Sequence, residues 1–419
     1  MSTPSLSHGG LPSNLLDAEI LAELKATAEA LCMEGKGFLA ADESAGPWMR
    51  AGHSEAKKVP DNIENRGAYR STCFSTPGLS DNISGCILHT ETLFQSTPEG
   101  VDLVDILKNS GIIPGIKLDQ GYAKDKGLAG TKIGPLGHQE TFCLGIDTLQ
   151  KRAADAYAKG ARFAKWRNVL QIDPVQGLPS DLAIQEACTN LARYAAICQS
   201  ERLVPIVEPE IVPNGDHDIY ACAAATEVRG LEERSDELGM RYRGRNLATL
   251  LRVLAAQYKA LSDANVYLEG TLLKPNMVKN GLKGLVATKE EIATLTVQAL
   301  KRTVPPAVPG IFFLSGEMPL DVDNEESASI NLSTMNSMFP NLPWHLSFSY
   351  GKAMQKTAIV TWAKSTLAGD DVAVTTAATQ KALLNRSKAN GNANLGKYVA
   401  GTCASVGTDG NIQQAAGPY

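Results

Sequence analysis

The residues best suited to chemistry in this chain stand at the ends of apolar runs. Lys274 closes the run 266–274 (VYLEGTLLK) and is followed at once by Pro275. The residues before it are mostly apolar or small, so the run reads as a buried strand that stops at the lysine. Burying an ammonium is costly unless it is paired or neutralised. Desolvation and nearby positive charge lower a lysine pKa and expose an amine that can form a Schiff base with a carbonyl. A lysine snorkelling from a strand end is the plainer reading, and taken alone Lys274 fits it better. Other runs change the balance, for they end in Asp42, Lys117 with Asp119, Lys165 with Arg167, Glu208, Ser315-Gly316 and Ser349-Tyr350-Gly351. One such charge is ordinarily a solvated rim group. Polar groups behind apolar stretches at nearly every run's end describe a site. Lys165 near Lys274 is expected to lower the pKa of Lys274 by repulsion. Asp42 and Glu208 are expected to keep the pocket near neutral and to exchange protons.

The elements that must position these groups alternate between strand-like and helical patterns. Strand candidates are 37–42, 86–89, 112–119, 162–167, 203–208, 266–274, 311–315 and 345–349. Helical spacing marks an N-terminal amphipathic helix over 15–33, and further helices over 146–159, 182–199 and 290–301. Eight strand–helix units predict a closed (β/α)8 (TIM) barrel with its active groups at the C-terminal strand ends. The turns after the seventh and eighth strands are where such barrels hold phosphate on backbone N–H groups. The expected organisation is a polar arm over 1–14, a catalytic barrel over 15–365 and a tail over 366–419. That tail is expected to be helical early, then mobile where Gly, Ala, Asn and Thr dominate. Segments 228–245 and 317–326 read as inserts, the first dense in alternating charge and the second acidic.

Composition narrows the function. The 419 residues are 43% hydrophobic and 20% charged, enough apolar character for a sizeable core. A net charge of -5 gives no broad footprint for nucleic acid. No apolar run reaches the length of a membrane span, and residues 1–10 lack a signal-peptide core. The eight cysteines are scattered without a CxxC pair, which fits a reduced cytoplasmic protein better than a zinc ribbon or disulfide framework. The six histidines lack ligand spacing, and Asp216-His217-Asp218 reads as a loop, so no metal site and no cofactor are expected. No nucleotide-binding glycine fingerprint follows any strand.

The strings GKGFLAADES, PGIKLDQG, GARFAKWRNVL, LVPIVEPEI, LEGTLLKPNMV, VPPAVPGIFFLSG and FSYGKA, in this order over roughly residues 15–400, resemble class I fructose-bisphosphate aldolases. LEGTLLKPNMV and FAKWR are long, specific motifs. The resemblance implies reversible cleavage of fructose 1,6-bisphosphate to dihydroxyacetone phosphate and glyceraldehyde 3-phosphate, in a homotetramer. It implies that Lys274 is the Schiff-base lysine and Glu208 the proton relay. It further implies that Asp42 helps deprotonate the hydroxyl at carbon 4 and that Lys165 assists carbinolamine chemistry. By the same resemblance Lys117, Arg167 and Ser44 contact substrate, Glu210 supports them, and Arg66 falls on an arginine sometimes assigned to phosphate. Ser315, Gly316, Gly351 and Lys352 fall on the carbon-1 phosphate site, and Tyr419 on a terminal tyrosine that reaches the active site.

Three departures bear on substrate choice. Lys352 stands where animal members carry arginine, which keeps the charge but loses a planar fork. Pro47, Arg50 and Ala51 replace the family's hydroxyl and basic pair after ADES. Glu317 follows Gly316 in place of a second glycine. The same chemistry on sedoheptulose 1,7-bisphosphate or fructose 1-phosphate is therefore the main alternative. A non-catalytic scaffold is a further one, opposed by the intact Lys274, Lys165, Glu208 and Asp42 set.

Overall fold

A computed structural model describes residues 16–42, 59–123, 127–226, 253–316 and 324–403. Within them the eight expected strands are present: β1 Gly37–Ala41, β2 Ile83–Leu88, β3 Ile113–Lys117, β4 Phe163–Leu170, β5 Val204–Ile211, β6 Leu272–Leu273, β7 Gly310–Phe313 and β8 His345–Tyr350. All pair in parallel with their sequence neighbours, and β8 closes the barrel on β1 through Phe38↔Ser349 and Leu39↔Tyr350. The flanking helices are α1 Ala18–Leu31, α2 Ile63–Phe74, α3 Thr90–Leu93, α4 Leu103–Asn109, α5 Leu149–Lys159, α6 Asp181–Ser200, α7 Ile219–Thr226 and α8 Val253–Asp263. After them come α9 Lys289–Thr303, α10 Asn324–Met338, α11 Lys352–Ala368 and α12 Val372–Asn394. Helices outside and side chains inside cover both faces of the strands, so these read as continuous apolar runs rather than alternating ones.

Two cores result. The larger lies between strands and helices. The smaller fills the lower barrel with Phe38, Ile87, Phe163, Val204, Ile206, Leu272 and Phe312, and Leu24, Ala28 and Leu31 of α1 pack against it. Phe38 stacks on Phe312 at 4.0 Å and on Phe163 at 5.2 Å. Phe163 fits only because Gly85 and Gly115 lack side chains; a Cβ on Gly115 would come within 2.3 Å of its ring.

Strand β6 is far shorter than the apolar run 266–274. Leu268–Gly270 turn as a 3-10 helix, with Gly270 N–H donating to Tyr267 O at 3.2 Å and Thr271 N–H to Leu268 O at 3.0 Å. Gln199 of α6 binds the turn, accepting from Tyr267 N–H at 3.0 Å and donating to Tyr267 O at 2.8 Å and Gly270 O at 3.2 Å. An apolar run of this length fits a buried turn and a strand equally well.

The tail differs too. Its Gly- and Asn-rich stretch continues α12 through Asn394, packed on the bottom of the barrel. Asn394 accepts from Gly35 N–H at 2.6 Å and donates to Leu346 O at 2.8 Å. A Cβ on Gly391 would meet Asn82 and the Gly35 carbonyl, so small residues here permit close packing. Residues 404–419, the whole of 228–245, and 317–323 lie outside the described residues.

Candidate active site

Side chains alternate between the two faces of a strand, so every second residue of each strand points into the barrel. On β4 this places Phe163, Lys165 and Arg167 on one face; on β5, Ile206, Glu208 and Glu210. On β6 it aligns Leu272 with Lys274, and on β1 Phe38 and Ala40 with Asp42. Phe163, Ile206, Leu272 and Phe38 belong to the lower core, and the charged residues lie above them, toward the C-terminal ends.

Lys165 Nζ donates to Asp42 Oδ2 at 2.7 Å. It also lies 3.0 Å from Glu208 Oε2, in an ion pair whose angles miss hydrogen-bond alignment. Lys274 Nζ lies 3.0 Å from the other oxygen, Glu208 Oε1. The two lysines therefore flank a single carboxylate. The four side chains are between 2% and 6% exposed. Lys274 N–H donates to Val207 O at 2.8 Å, which fixes its backbone one residue from Glu208.

A second tier is more open. Arg167 Nε donates to Glu210 Oε2 at 2.5 Å, and the Lys117 ammonium binds the Asp119 carboxylate and, at 3.1 Å, the Asp119 carbonyl. The Arg167 and Lys117 side chains are 21% and 19% exposed, so they line the mouth above the deep lysines. Four cations face four carboxylates across the two tiers, which keeps the site near neutral.

Burial raises the Asp42 pKa, but the charges of Lys165 and then Lys274 outweigh it and hold the carboxyl well below the usual range. Burial lowers that of Lys165, yet Asp42 and then Glu208 carry it well above the ordinary lysine value. Asp42 thus remains an anion and Lys165 a cation. Burial opposes and Glu210 enforces the charge of Arg167, whose pKa is raised, while that of Glu210 is lowered.

The other expected residues divide. Ser315 and Gly316 follow β7 and are partly exposed; Gly316 has φ +64, in the left-handed region. Gly351 is the N-cap of the 17-residue helix α11, and Lys352 is its first residue, so the positive end of the helix dipole faces that corner. Arg66 on α2 is engaged by Glu91 at 2.9 and 2.7 Å and by Asp61 at 2.6 Å, so two carboxylates already fill its fork. Ser44, Tyr419, Pro47, Arg50, Ala51 and Glu317 lie outside the described residues. His217 of the Asp-His-Asp string is buried in the loop between β5 and α7, where its carbonyl accepts from Gly281 N–H at 2.8 Å. Ser349, read in the sequence as part of the turn after the eighth strand, is 1% exposed, and its hydroxyl has no hydrogen-bond partner among the described residues. One group escaped the sequence reading: Lys279, which nothing in the sequence marks.

With this geometry in view, comparison with known proteins is decisive. The family model for "Fructose-bisphosphate aldolase class-I" matches residues 23–230 and 245–416. The chain belongs to the class I fructose-bisphosphate aldolases. It is 46% identical over 397 residues to fructose-bisphosphate aldolase 1 of Toxoplasma gondii, covering 94% of this chain and 95% of the relative. It is also 46% identical to the cytosolic fructose-bisphosphate aldolase 5 of Arabidopsis thaliana, covering 90% and 92%. Among solved structures, the Plasmodium falciparum aldolase in complex with TRAP and a small-molecule inhibitor matches with TM-score 0.78 and 42% identity, covering 92% and 98%. The protein is an aldolase, a lyase built on the closed barrel described above.

Proposed function

We propose that this aldolase reversibly cleaves fructose 1,6-bisphosphate to dihydroxyacetone phosphate and glyceraldehyde 3-phosphate through a Schiff base on Lys274. The observation that carries the assignment is Glu208 held between Lys274 and Lys165 at 3.0 Å on either side, with Asp42 on the far side of Lys165. The Lys274 amine adds to the carbon-2 ketone, giving a carbinolamine. Loss of water, with a proton delivered through Glu208, leaves an iminium. Breaking the bond between carbons 3 and 4 sends its electron pair into the iminium, forming an enamine. The hydroxyl at carbon 4 loses its proton to a carboxylate as the aldehyde leaves. Asp42, kept ionised by Lys165, is suited to accept it, and the fixed charge of Lys165 stabilises oxyanion character without itself being a base. Protonation of carbon 3 and hydrolysis release the ketose phosphate and restore the amine.

The depth of each tier fits the substrate. Lys165 and Lys274 lie deep enough to meet the carbonyl, while Lys117 and Arg167 at the mouth suit the distal phosphate, with Glu210 orienting Arg167. The carbon-1 phosphate is taken by Ser315, Gly316, Gly351 and Lys352. Ser44 and Tyr419 are assigned to substrate by the family motif, and Arg66 holds the lowest place among these because carboxylates occupy it. We also infer a homotetramer and a cytoplasmic setting, on family resemblance and the cytosolic relative. No helix of the described residues is long and apolar enough to cross a membrane, and none of the eight cysteines is in a disulfide.

The function is tested by cleavage assays of Lys274→Met and Lys274→Arg. Both are expected to be inactive, because neither side chain offers a neutral amine. Turnover retained by either variant contradicts the proposal.

A further inference from the structure

One buried cation near the barrel mouth has no part in the chemistry above. Lys279 lies five residues beyond Lys274, on the segment that leaves β6, and is 7% exposed. The path of that segment is fixed: Leu314 N–H donates to Pro275 O at 3.2 Å, and Val278 N–H to Thr296 Oγ1 at 2.9 Å. Gly281 N–H donates to His217 O at 2.8 Å. Held this way, the Lys279 side chain reaches the phosphate turn. A Cβ built on Gly316 would come within 2.9 Å of Lys279 Nζ and 3.6 Å of its Cε. Position 316 favours glycine for its φ of +64, and a side chain there would also displace the Lys279 ammonium that lies beside it.

We propose that Lys279 is a further substrate-binding residue that holds the carbon-1 phosphate together with Lys352. The inference rests on the assignment of Ser315, Gly316, Gly351 and Lys352 to that phosphate. Lys352 supplies a point charge where a guanidinium would supply a fork, and one lysine leaves phosphate oxygens without a strong donor. A second ammonium already desolvated by the fold meets that need. Its hydrogen bonds to an anion are charge-assisted in a low local dielectric, and little side-chain freedom is lost on binding. Ser315 and Gly316 are both partly exposed, so an anion can reach the turn from solvent. The competing role for a buried lysine is that of a counter-ion within the fold, which predicts a stability effect without a binding effect.

The experiment uses the full chain and compares Lys279→Met, Lys279→Gln and Lys279→Arg with Lys352→Ala. Three quantities are read: KM for fructose 1,6-bisphosphate, KM for fructose 1-phosphate, which carries only the carbon-1 group, and the inhibition constant of inorganic phosphate. Loss of a charged hydrogen-bond donor is expected to raise all three by about tenfold or more in the Met and Gln variants. KM should rise by a larger factor than kcat falls, and Lys279→Arg should recover most of the loss. Gln retains a donor and serves if the Met variant does not fold. The inference is overturned alone if the Lys279 variants keep wild-type KM and inhibition constants while Lys352→Ala raises them. If neither position changes them, the carbon-1 phosphate assignment falls as well.

Discussion

At the scale of single residues, the site is a line of side chains running Asp42, Lys165, Glu208, Lys274, in which Asp42 and Lys165 hold each other ionised out of water. Asp42→Asn leaves Lys165 short of a partner, and breaking a buried pair in this way typically costs about 3–5 kcal/mol near neutral pH. The pH dependence has a definite sign. The folded-state pKa of Asp42 is depressed, so its contribution is complete above about pH 4 and disappears as pH falls through the folded value. That of Lys165 is raised, so its contribution is complete below about pH 10 and is lost on the alkaline side. Denaturant titrations should show the gap between wild type and Asp42→Asn narrowing as pH falls below about 4; a constant gap contradicts the depressed pKa. Lys352 offers a second residue-scale prediction. Lys352→Arg restores a planar fork and should tighten dihydroxyacetone phosphate binding about fivefold, ~1 kcal/mol, by calorimetry. The four buried charges were legible from the sequence because each ends an apolar run. The pairing of Arg66 with Asp61 and Glu91 was not, since those partners come from a loop and a short helix with no shared periodicity.

At the scale of elements, the site depends on strands of unequal length. Strand β5 runs on through Pro209 to Ile211, although proline lacks a ladder N–H, because β6 pairs with it only as far as Val207. The short β6 is held below by the 3-10 turn that Gln199 binds. That turn was hidden in the sequence, since its apolar spacing fits a strand and its stabilising side chain lies on α6. Gln199→Ala removes a partner from Tyr267 N–H, Tyr267 O and Gly270 O in a turn of which Gly270 is buried and Tyr267 partly exposed, so unfolding free energy should drop by about 1–2 kcal/mol. The expected reading is a lower denaturation midpoint with KM for the bisphosphate preserved, because this turn lies at the end of β6 away from Lys274. An unchanged midpoint would mean that water satisfies the turn equally well.

At the scale of the whole molecule, alternation of strand and helix patterns was enough to foresee a closed eight-strand barrel, and the structure has it. The role of the tail was harder to read, because small residues serve both mobility and close packing. Burial decides in favour of packing through residue 394. Arg386 is 2% exposed and donates to Ala353 O at 3.0 Å, Glu325 O at 2.5 Å, Ser329 Oγ at 2.7 Å and Cys403 O at 2.7 Å, tying α10, α11 and the departing chain to α12. Two truncations should therefore behave differently. Ending the chain at 371 removes α12 and should leave an insoluble or unfolded product. Ending it at 403 should keep Tm close to that of the full chain while slowing bisphosphate cleavage, on the reading that Tyr419 gates turnover. A large fall in Tm for the longer truncation would instead make residues 404–419 a structural brace.

The most direct test of the account is to trap the covalent intermediate. The full chain is incubated with dihydroxyacetone phosphate and reduced with borohydride, and the modified lysine is located by mass mapping of peptides. The account requires one adduct, on the peptide containing LEGTLLKPNMV, at Lys274, and its loss in Lys274→Met. An adduct on Lys165 or any other lysine, with Lys274 unmodified, would contradict it.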